Sequence, residues 1–445
     1  MNCSKLNIKI FFPLFFFPLT HIIGIAITEF FIFSFTIFLL INFERKEFSN
    51  KVILFFLSFF SLYIGINAMS QIPSNLKYSS LFHFRYVIFA ISVYLYFSVY
   101  EKKEINKRLF LIPFLLLILI LLFDSCFQFF VGENIFGQKL SRYGYRVSSF
   151  FGDELILGSF LMRLLPILLW YVFYFKIDIN SKKFFSILFF SIYLFVVYIS
   201  GERTSFALTI LIFLSSIIFI SKLRSVFIQS IILFIIFSSS VAFFNLGKEN
   251  TAHRMFIKTY KQLVDNKADT NRSSEELIEN KNLKFKDKIR NINLFSPNHE
   301  GHLILATKLF KENLIFGVGP KGFRHYCRTV NYDPPNGICS THPHNILAQI
   351  LAELGIVGLF FYLIFIIFIL VTFLKGFSKK SHKNEINGLL IISIGLLINL
   401  FPLLPSGNFF NNWLSSFIYF NVGLFLFSYK SCFNNDKNIF NAINK

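Results

Sequence analysis

The chain has 445 residues, 54% of them hydrophobic, with 66 phenylalanines and a formal net charge of +20. Apolar runs near the thickness of a bilayer core recur along it, which excludes an ordinary soluble enzyme and makes length-based domain counting irrelevant. In a soluble protein such a charge would suggest nucleic acid; here much of the excess lies in short loops, where it sets topology, and no nucleic-acid partner is expected.

Lys5 and Lys9 precede a long apolar run with no small-residue cleavage pattern, so the N-terminus is expected to be a retained first span. Spans are expected at 10–27, 28–43, 52–69, 81–100, 109–131, 155–175, 184–199, 204–220, 225–244, 345–374, 386–404 and 409–429. The expected fold is an all-α polytopic membrane protein of about 12 transmembrane helices. With the N-terminus inside, the even-numbered connections hold most of the loop lysines and arginines, among them Lys102, Lys103, Lys182, Lys183, Lys379 and Lys380. The short outer connections around Gln71 and Ser406 are nearly uncharged. By the positive-inside rule both termini are then cytoplasmic, and one large loop is periplasmic. Three regions follow: an N-terminal bundle at 1–244, the loop at 245–344 and C-terminal helices at 345–445.

The middle of that loop, 258–290, is charged and Asn-rich and reads as a mobile insert. Further on, 302–310 has a helical apolar pattern, followed by the turn Gly317-Val318-Gly319-Pro320-Lys321-Gly322 and then Arg324, His325 and Arg328. A glycine-rich turn beside arginines can bind phosphate through backbone N–H groups, although most such turns are only turns. Cys327 and Cys339 share this loop and are either a disulfide or two thiols.

The loop ends in Thr341-His342-Pro343-His344-Asn345, where Pro343 suits a first helical turn. Asn345, Gln349 and Glu353 recur every four residues and share one helical face. Ala348, Ala352, Gly355 and Gly358 make a neighbouring small-residue stripe, which suits close helix packing. Polar groups at membrane depth are costly, so this edge calls for a function. The same topology puts Arg85, Arg142, Arg146, Arg163 and Arg203 toward the outer side, facing the histidines. Each has a structural alternative: Arg203 snorkelling or paired with Glu202, Arg163 paired with an acid such as Glu353, His342 a plain loop histidine. Their shared sidedness favours a site.

A basic outer pocket within reach of lipid suits an anionic, lipid-borne ligand. Arginine's fork matches phosphate oxygens, and a neutral histidine can take a proton from a hydroxyl. Together they suit glycan transfer from a lipid diphosphate, with arginines stabilising the departing charge and no nucleotide required. There is no P-loop, dinucleotide fingerprint or Asp-x-Asp pair. A zinc site from His342, His344 and His325 is the metal alternative, but no third ligand stands at a supporting spacing.

At these residues the sequence resembles the O-antigen ligase and O-antigen polymerase superfamily of bacterial membrane glycosyltransferases. His344-Asn345, then nine residues, then Gly355-x-x-Gly358 matches the ligase signature. Gly317-Val318-Gly319 and the Gly-x-Arg turn at Arg203 match further positions. The resemblance implies a GT-C-like, metal-independent and cofactor-free transferase of the inner membrane, acting at the periplasmic face. Its donor would be a glycan on undecaprenyl diphosphate and its acceptor the lipid A core or another glycan, with membrane lipids around it. His344 and Arg203 would be catalytic, as base and diphosphate ligand. Arg324, His342, Asn345, Glu353, Arg163 and His302 are the expected substrate-binding residues. One departure stands out: the family's second loop arginine has no counterpart in Asn298-His299-Glu300-Gly301-His302, which leaves His302, Arg290 or Arg324 to replace it. Chain polymerases and protein O-oligosaccharyltransferases share these motifs. A polysaccharide or lipid transporter is the alternative of another class; it predicts charge spread through the membrane rather than gathered at one face.

Overall fold

The computed structural model describes residues 13–42, 51–100, 107–140, 146–247, 251–257, 260, 297–329, 339–379 and 383–433. Arg142, Arg290 and most of the 258–290 segment lie outside the described residues. The described chain is helical, without strands; one isolated bridge joins Glu133 and Lys139.

The helices are α1 (Phe17–Ile23), α2 (Ile25–Asn42), α3 (Lys51–Met69), α4 (Ser74–Leu81), α5 (Arg85–Tyr100), α6 (Lys107–Val131), α7 (Leu157–Tyr174) and α8 (Lys183–Ile199). Then come α9 (Arg203–Phe219), α10 (Ser221–Phe243), α11 (Pro297–Glu312), α12 (Phe323–Tyr326), α13 (Ile346–Ser378), α14 (Asn384–Asn399) and α15 (Asn412–Phe433). Among the described residues five segments are long and apolar enough to cross a membrane: Ser74–Ser98, Phe110–Val131, Leu157–Tyr174, Ser221–Phe243 and Ile346–Ser378. Several shorter apolar helices accompany them, including Lys183–Ile199, Arg203–Phe219 and Asn384–Asn399.

Burial sorts the helices. Nearly every residue of α7 is buried, so it is a central helix that is apolar all round because protein surrounds it. It packs along α14, while α5 packs along α15 and α8 along α10. By contrast α10 exposes Ile228, Ile232 and Ile235, and α13 exposes Ile356, Phe360 and Ile367, which suits contact with lipid tails.

Two boundaries differ from the sequence expectation. The first two apolar helices meet at Gly24, not at 27/28, because Gly24 takes φ +145°, a left-handed backbone that a glycine adopts without strain. The stretch expected as one span at 345–374 is broken near its start by Gly355, at φ +64° and ψ −159°.

Candidate functional site

The break in α13 shapes the site. Around Gly355 the regular helical ladder is interrupted, and the segment Leu314–Gly319 lies across the gap. Val318 N–H donates to the Ala352 carbonyl and Gly319 N–H to that of Glu353, each at 2.9 Å. In return Ile356 N–H donates to Leu314 O at 2.9 Å and Val357 N–H to Ile315 O at 3.2 Å. Backbone groups released by the break are thus satisfied by a second piece of chain, as an irregular segment inside a membrane protein requires. The contact is too close for side chains: a Cβ on Gly355 would lie 2.3 Å from Ile315 O, and one on Gly317 2.5 Å from Glu353 C. These amides are therefore engaged within the protein, which favours the plain-turn reading of the glycine segment over a phosphate cradle.

The polar edge holds this junction together. Asn345 caps α13, its Oδ1 accepting from Ala348 N–H at 2.9 Å, and its Nδ2 donates to Pro402 O at 2.7 Å. The helix thus begins at Ile346, not in the turn of Pro343: the Asn345 side chain supplies the cap, and His344 just before it is left-handed, φ +56°. Gln349 donates to Glu353 at 3.0 Å and to Asn408 Oδ1 at 2.8 Å, and accepts from Phe409 N–H at 2.9 Å. Glu353, fully buried, accepts from Phe323 N–H at 3.0 Å. The edge therefore pins the 400–411 loop and α12 to α13.

At its head four imidazoles gather. The His344 ring lies 4.1 Å from that of His342, 5.0 Å from His299 and 5.3 Å from His302, centroid to centroid. His299 and His302 come from α11, whose apolar face (Leu305, Ala306, Leu309) packs with Val318, Phe323, Cys327 and Ala352. Cys327 and Cys339 are joined as a disulfide, Cα–Cα 5.6 Å, close to the start of the histidine segment. His344 Nε2 lies 3.0 Å from Ser340 Oγ, and the His344 carbonyl accepts from Ser406 N–H at 2.9 Å. His342 Nε2 is 3.2 Å from the Ser406 carbonyl.

Burial, followed by the neighbouring imidazoles, pushes the His344 pKa down to about 3. Burial likewise takes His342 to about 4 and lowers His299. These three imidazoles are therefore uncharged near neutrality. Arg324 on α12 bears on His342, and its Nε is buried without a hydrogen-bond partner among the described residues, as is the Ser406 hydroxyl. Lys321, left-handed and buried, reaches Ser79 O at 3.3 Å, and burial lowers its pKa to about 8.

A second group surrounds the α8–α9 turn. Glu202 accepts from the first amides of α7, Gly158 N–H at 2.8 Å and Ser159 N–H at 3.0 Å, and from the Ser205 hydroxyl. Arg146 donates to Ser200 O at 2.9 Å and lies 3.7 Å from Glu202; Arg254 donates to Gly201 O at 3.2 Å. Arg203 opens α9 beside them, within electrostatic reach of both arginines. Three arginines thus meet at this turn, and Arg146 is the one that lies against the Glu202 carboxylate. Arg254 is the residue that sequence reasoning missed, since nothing marks it in the short stretch between the expected span at 225–244 and the charged 258–290 segment. His299 was visible only as part of an unassigned motif.

Arg163 sits between the groups. It donates to Ser159 O at 3.0 Å and to the Ser159 hydroxyl, and its guanidinium carbon lies 5.3 Å from the Trp413 ring centre. Its Nε and Trp413 Nε1 are both buried without partners among the described residues. The structural alternative for Arg163, a pairing with Glu353, is not seen: Glu353 bonds Gln349 and Phe323 instead. Trp413 follows the loop that Ser406 ties to His344, so both groups occupy one end of the bundle.

Among the described residues no three His, Cys, Asp or Glu side chains are arranged to hold a metal ion. His325, proposed with the zinc alternative, stacks edge-on against Tyr326, 5.2 Å between centroids. No match is found among curated proteins. Residues 303–363 match the O-antigen ligase family, a stretch running through the glycine turn, His342, His344 and both halves of the α13 break, and on that segment the chain resembles the O-antigen ligase and polymerase superfamily.

Proposed function

We propose that this protein is a membrane glycosyltransferase that moves a glycan from a lipid diphosphate to an acceptor hydroxyl at the outer face of the inner membrane, in the manner of an O-antigen ligase. The observation that carries this reading is His344: an uncharged imidazole, held in a left-handed backbone, with Nε2 within 3.0 Å of a hydroxyl. A non-glycine residue in that region costs on the order of 1–3 kcal/mol, and such strain gathers at functional sites.

In this mechanism the acceptor hydroxyl takes the place of Ser340 Oγ. His344 accepts its proton as the oxygen bonds the anomeric carbon. The bond from that carbon to the diphosphate oxygen breaks, and Arg203, with Arg254 and Arg146, stabilises the departing charge. Arg254 would supply the loop arginine whose counterpart the sequence lacks near His302. The diphosphate's negative charge raises the His344 pKa on binding, which strengthens the base when the substrate is present. Arg324, Ser406 and Arg163 offer further unpartnered donors to sugar and phosphate oxygens. Glu353 and Asn345 act by positioning. The undecaprenyl donor, the lipid A core acceptor and the cytoplasmic termini belong to the same proposal.

A host deletion complemented with wild-type chain or with His344→Ala tests it. Long glycans should accumulate on the lipid diphosphate, with bare core at the surface, in the deletion and in the variant. Core capped with one repeat unit would mean a polymerase instead. Full surface polysaccharide with His344→Ala, at normal membrane levels, would refute the catalytic role.

A further inference from the structure

The disulfide between Cys327 and Cys339 joins two parts of the site that lie 12 residues apart in sequence. Cys327 follows the last turn of α12, is buried, and packs among Leu305, Leu309, Val318 and Ala352. That side is fixed. Phe323 N–H, at the start of α12, donates to the buried Glu353 at 3.0 Å, and Cys327 N–H donates to Phe323 O at 2.9 Å. Cys339, by contrast, is exposed, and it stands directly before Ser340, whose Oγ lies 3.0 Å from His344 Nε2.

Little else holds residues 339–343. Among the described residues this stretch makes no backbone–backbone hydrogen bond. Thr341 Oγ1 lies 3.1 Å from His342 Nδ1, which is a bond inside the stretch itself, and His342 Nε2 lies 3.2 Å from the Ser406 carbonyl. The bridge is thus the covalent tie between α12, bracketed by Glu353, and the residue that occupies the acceptor's place beside the base.

We propose that Cys327 and Cys339 are a positioning pair for transfer: their bridge holds 339–342 against His344, and opening it loosens the base while the membrane bundle stays folded. The proposal rests on the transferase reading above. The exposed Cys339 sulfur is where a reductant enters. One thiolate of a small dithiol attacks it and displaces the Cys327 thiolate; the second then closes the reductant's own disulfide and releases the Cys339 thiolate. Two electrons and two protons pass to the protein's sulfurs, and the dithiol is oxidised. The arginine group is held through Ser200, Gly201 and Glu202, not through the bridge, so its grip on a diphosphate is kept. Misplacing a reacting group by about 1 Å costs up to about 100-fold, so kcat should fall roughly 10- to 100-fold with donor KM little changed.

The purified full chain is assayed for transfer from a lipid-diphosphate-linked glycan as isolated, after dithiothreitol, and after reoxidation with oxidised glutathione. The kcat should fall and then return. A Cys327→Ala, Cys339→Ala double variant should start low and ignore dithiothreitol; reduction of the wild-type chain covers a variant that fails to fold. The pH profile separates positioning from plain stability. Burial, then His342, His299 and His302, depress the His344 base, with Arg324 bearing on His342. Opened to water, His344 should titrate nearer 6.5, so kcat/KM of the reduced protein should drop through about pH 6 while that of the oxidised protein stays level. A bridge that only stabilises would lower the unfolding temperature and leave kcat per folded molecule and that profile unmoved, which overturns the proposal. Free thiols at both positions in protein extracted under alkylating conditions overturn it too. If the oxidised protein performs no transfer, the transferase reading fails by itself. Diethyl pyrocarbonate mapping of His342 and His344, before and after reduction and alkylation, then still decides the pair: higher reactivity after reduction supports it, and equal reactivity overturns it.

Discussion

Gly355→Ala should cost far more than an ordinary glycine substitution in a helix. A left-handed backbone costs a residue with a Cβ about 1–2 kcal/mol. The new Cβ would also lie 2.3 Å from Ile315 O and 2.5 Å from Ile315 C, which are backbone atoms with no rotamer to escape into. Relief requires Leu314–Gly319 to move off the break, and that segment makes four hydrogen bonds across it. Losing two of them, at about 0.5–1.5 kcal/mol each, brings the total to roughly 2–5 kcal/mol. The matched control is Gly376→Ala on the same helix, where the Cβ would find only ordinary contact, 3.4 Å to Leu389 Cδ2. There alanine should be neutral or stabilising by up to about 1 kcal/mol. Thermal unfolding in detergent compares the pair, and hydrogen exchange reads the amides of Val318, Gly319, Ile356 and Val357. If Gly355→Ala matches Gly376→Ala in stability and leaves those four amides protected, the account of the break is wrong.

Further predictions concern the two polar groups. The kcat/KM for transfer, which reports the free enzyme, should remain near its maximum as pH falls from 8 to about 5, because the unliganded base is depressed to about 3; a kcat/KM that halves near pH 6.5 would show an ordinary histidine instead. A depressed histidine also adds stability that is full above its unfolded pKa near 6.5 and is lost as pH falls toward 3, so acid unfolding should set in earlier for wild type than for His344→Asn. Glu202→Gln should cost about 1–3 kcal/mol in thermal stability, because the amide keeps only part of the carboxylate's bonding to α7 and Arg146. Asn345→Ala should cost about 1–2 kcal/mol through the lost cap and the bond to Pro402, with transfer falling more than stability if the loop also positions His344.

Most helices were legible, because uninterrupted apolar runs bounded by lysines leave little choice in a membrane. The expected spans at 109–131, 155–175 and 184–199 match α6, α7 and α8 to within two residues at each end. The polar edge at Asn345, Gln349 and Glu353 was visible as a periodicity, but not its task of pinning a loop and α12. That task depends on partners, Phe323 and Phe409, which are apolar residues contributing only backbone. The break was hidden for a similar reason: Gly-x-x-Gly in an apolar helix reads as close packing, and nothing local announces that a glycine turn some 40 residues earlier supplies the missing bonds.

The irregular backbone of this end of the molecule is concentrated rather than scattered. His344 and Gly355 are both left-handed, and the short helix between them carries the whole polar edge. Glu353 and Gln349 turn one side of that helix into a fixed bracket for α12 and for the 400–411 loop, and Ser406 of that loop in turn holds His344 by its carbonyl. The bracket over-determines the histidine's backbone from both sides, which is what allows a strained residue to persist. It also explains why the strain and the break belong together. Ending the outer part of α13 at Gly355 frees that short helix from following the lipid-facing axis of the rest, so the imidazole can be set by loop contacts instead of by the long span.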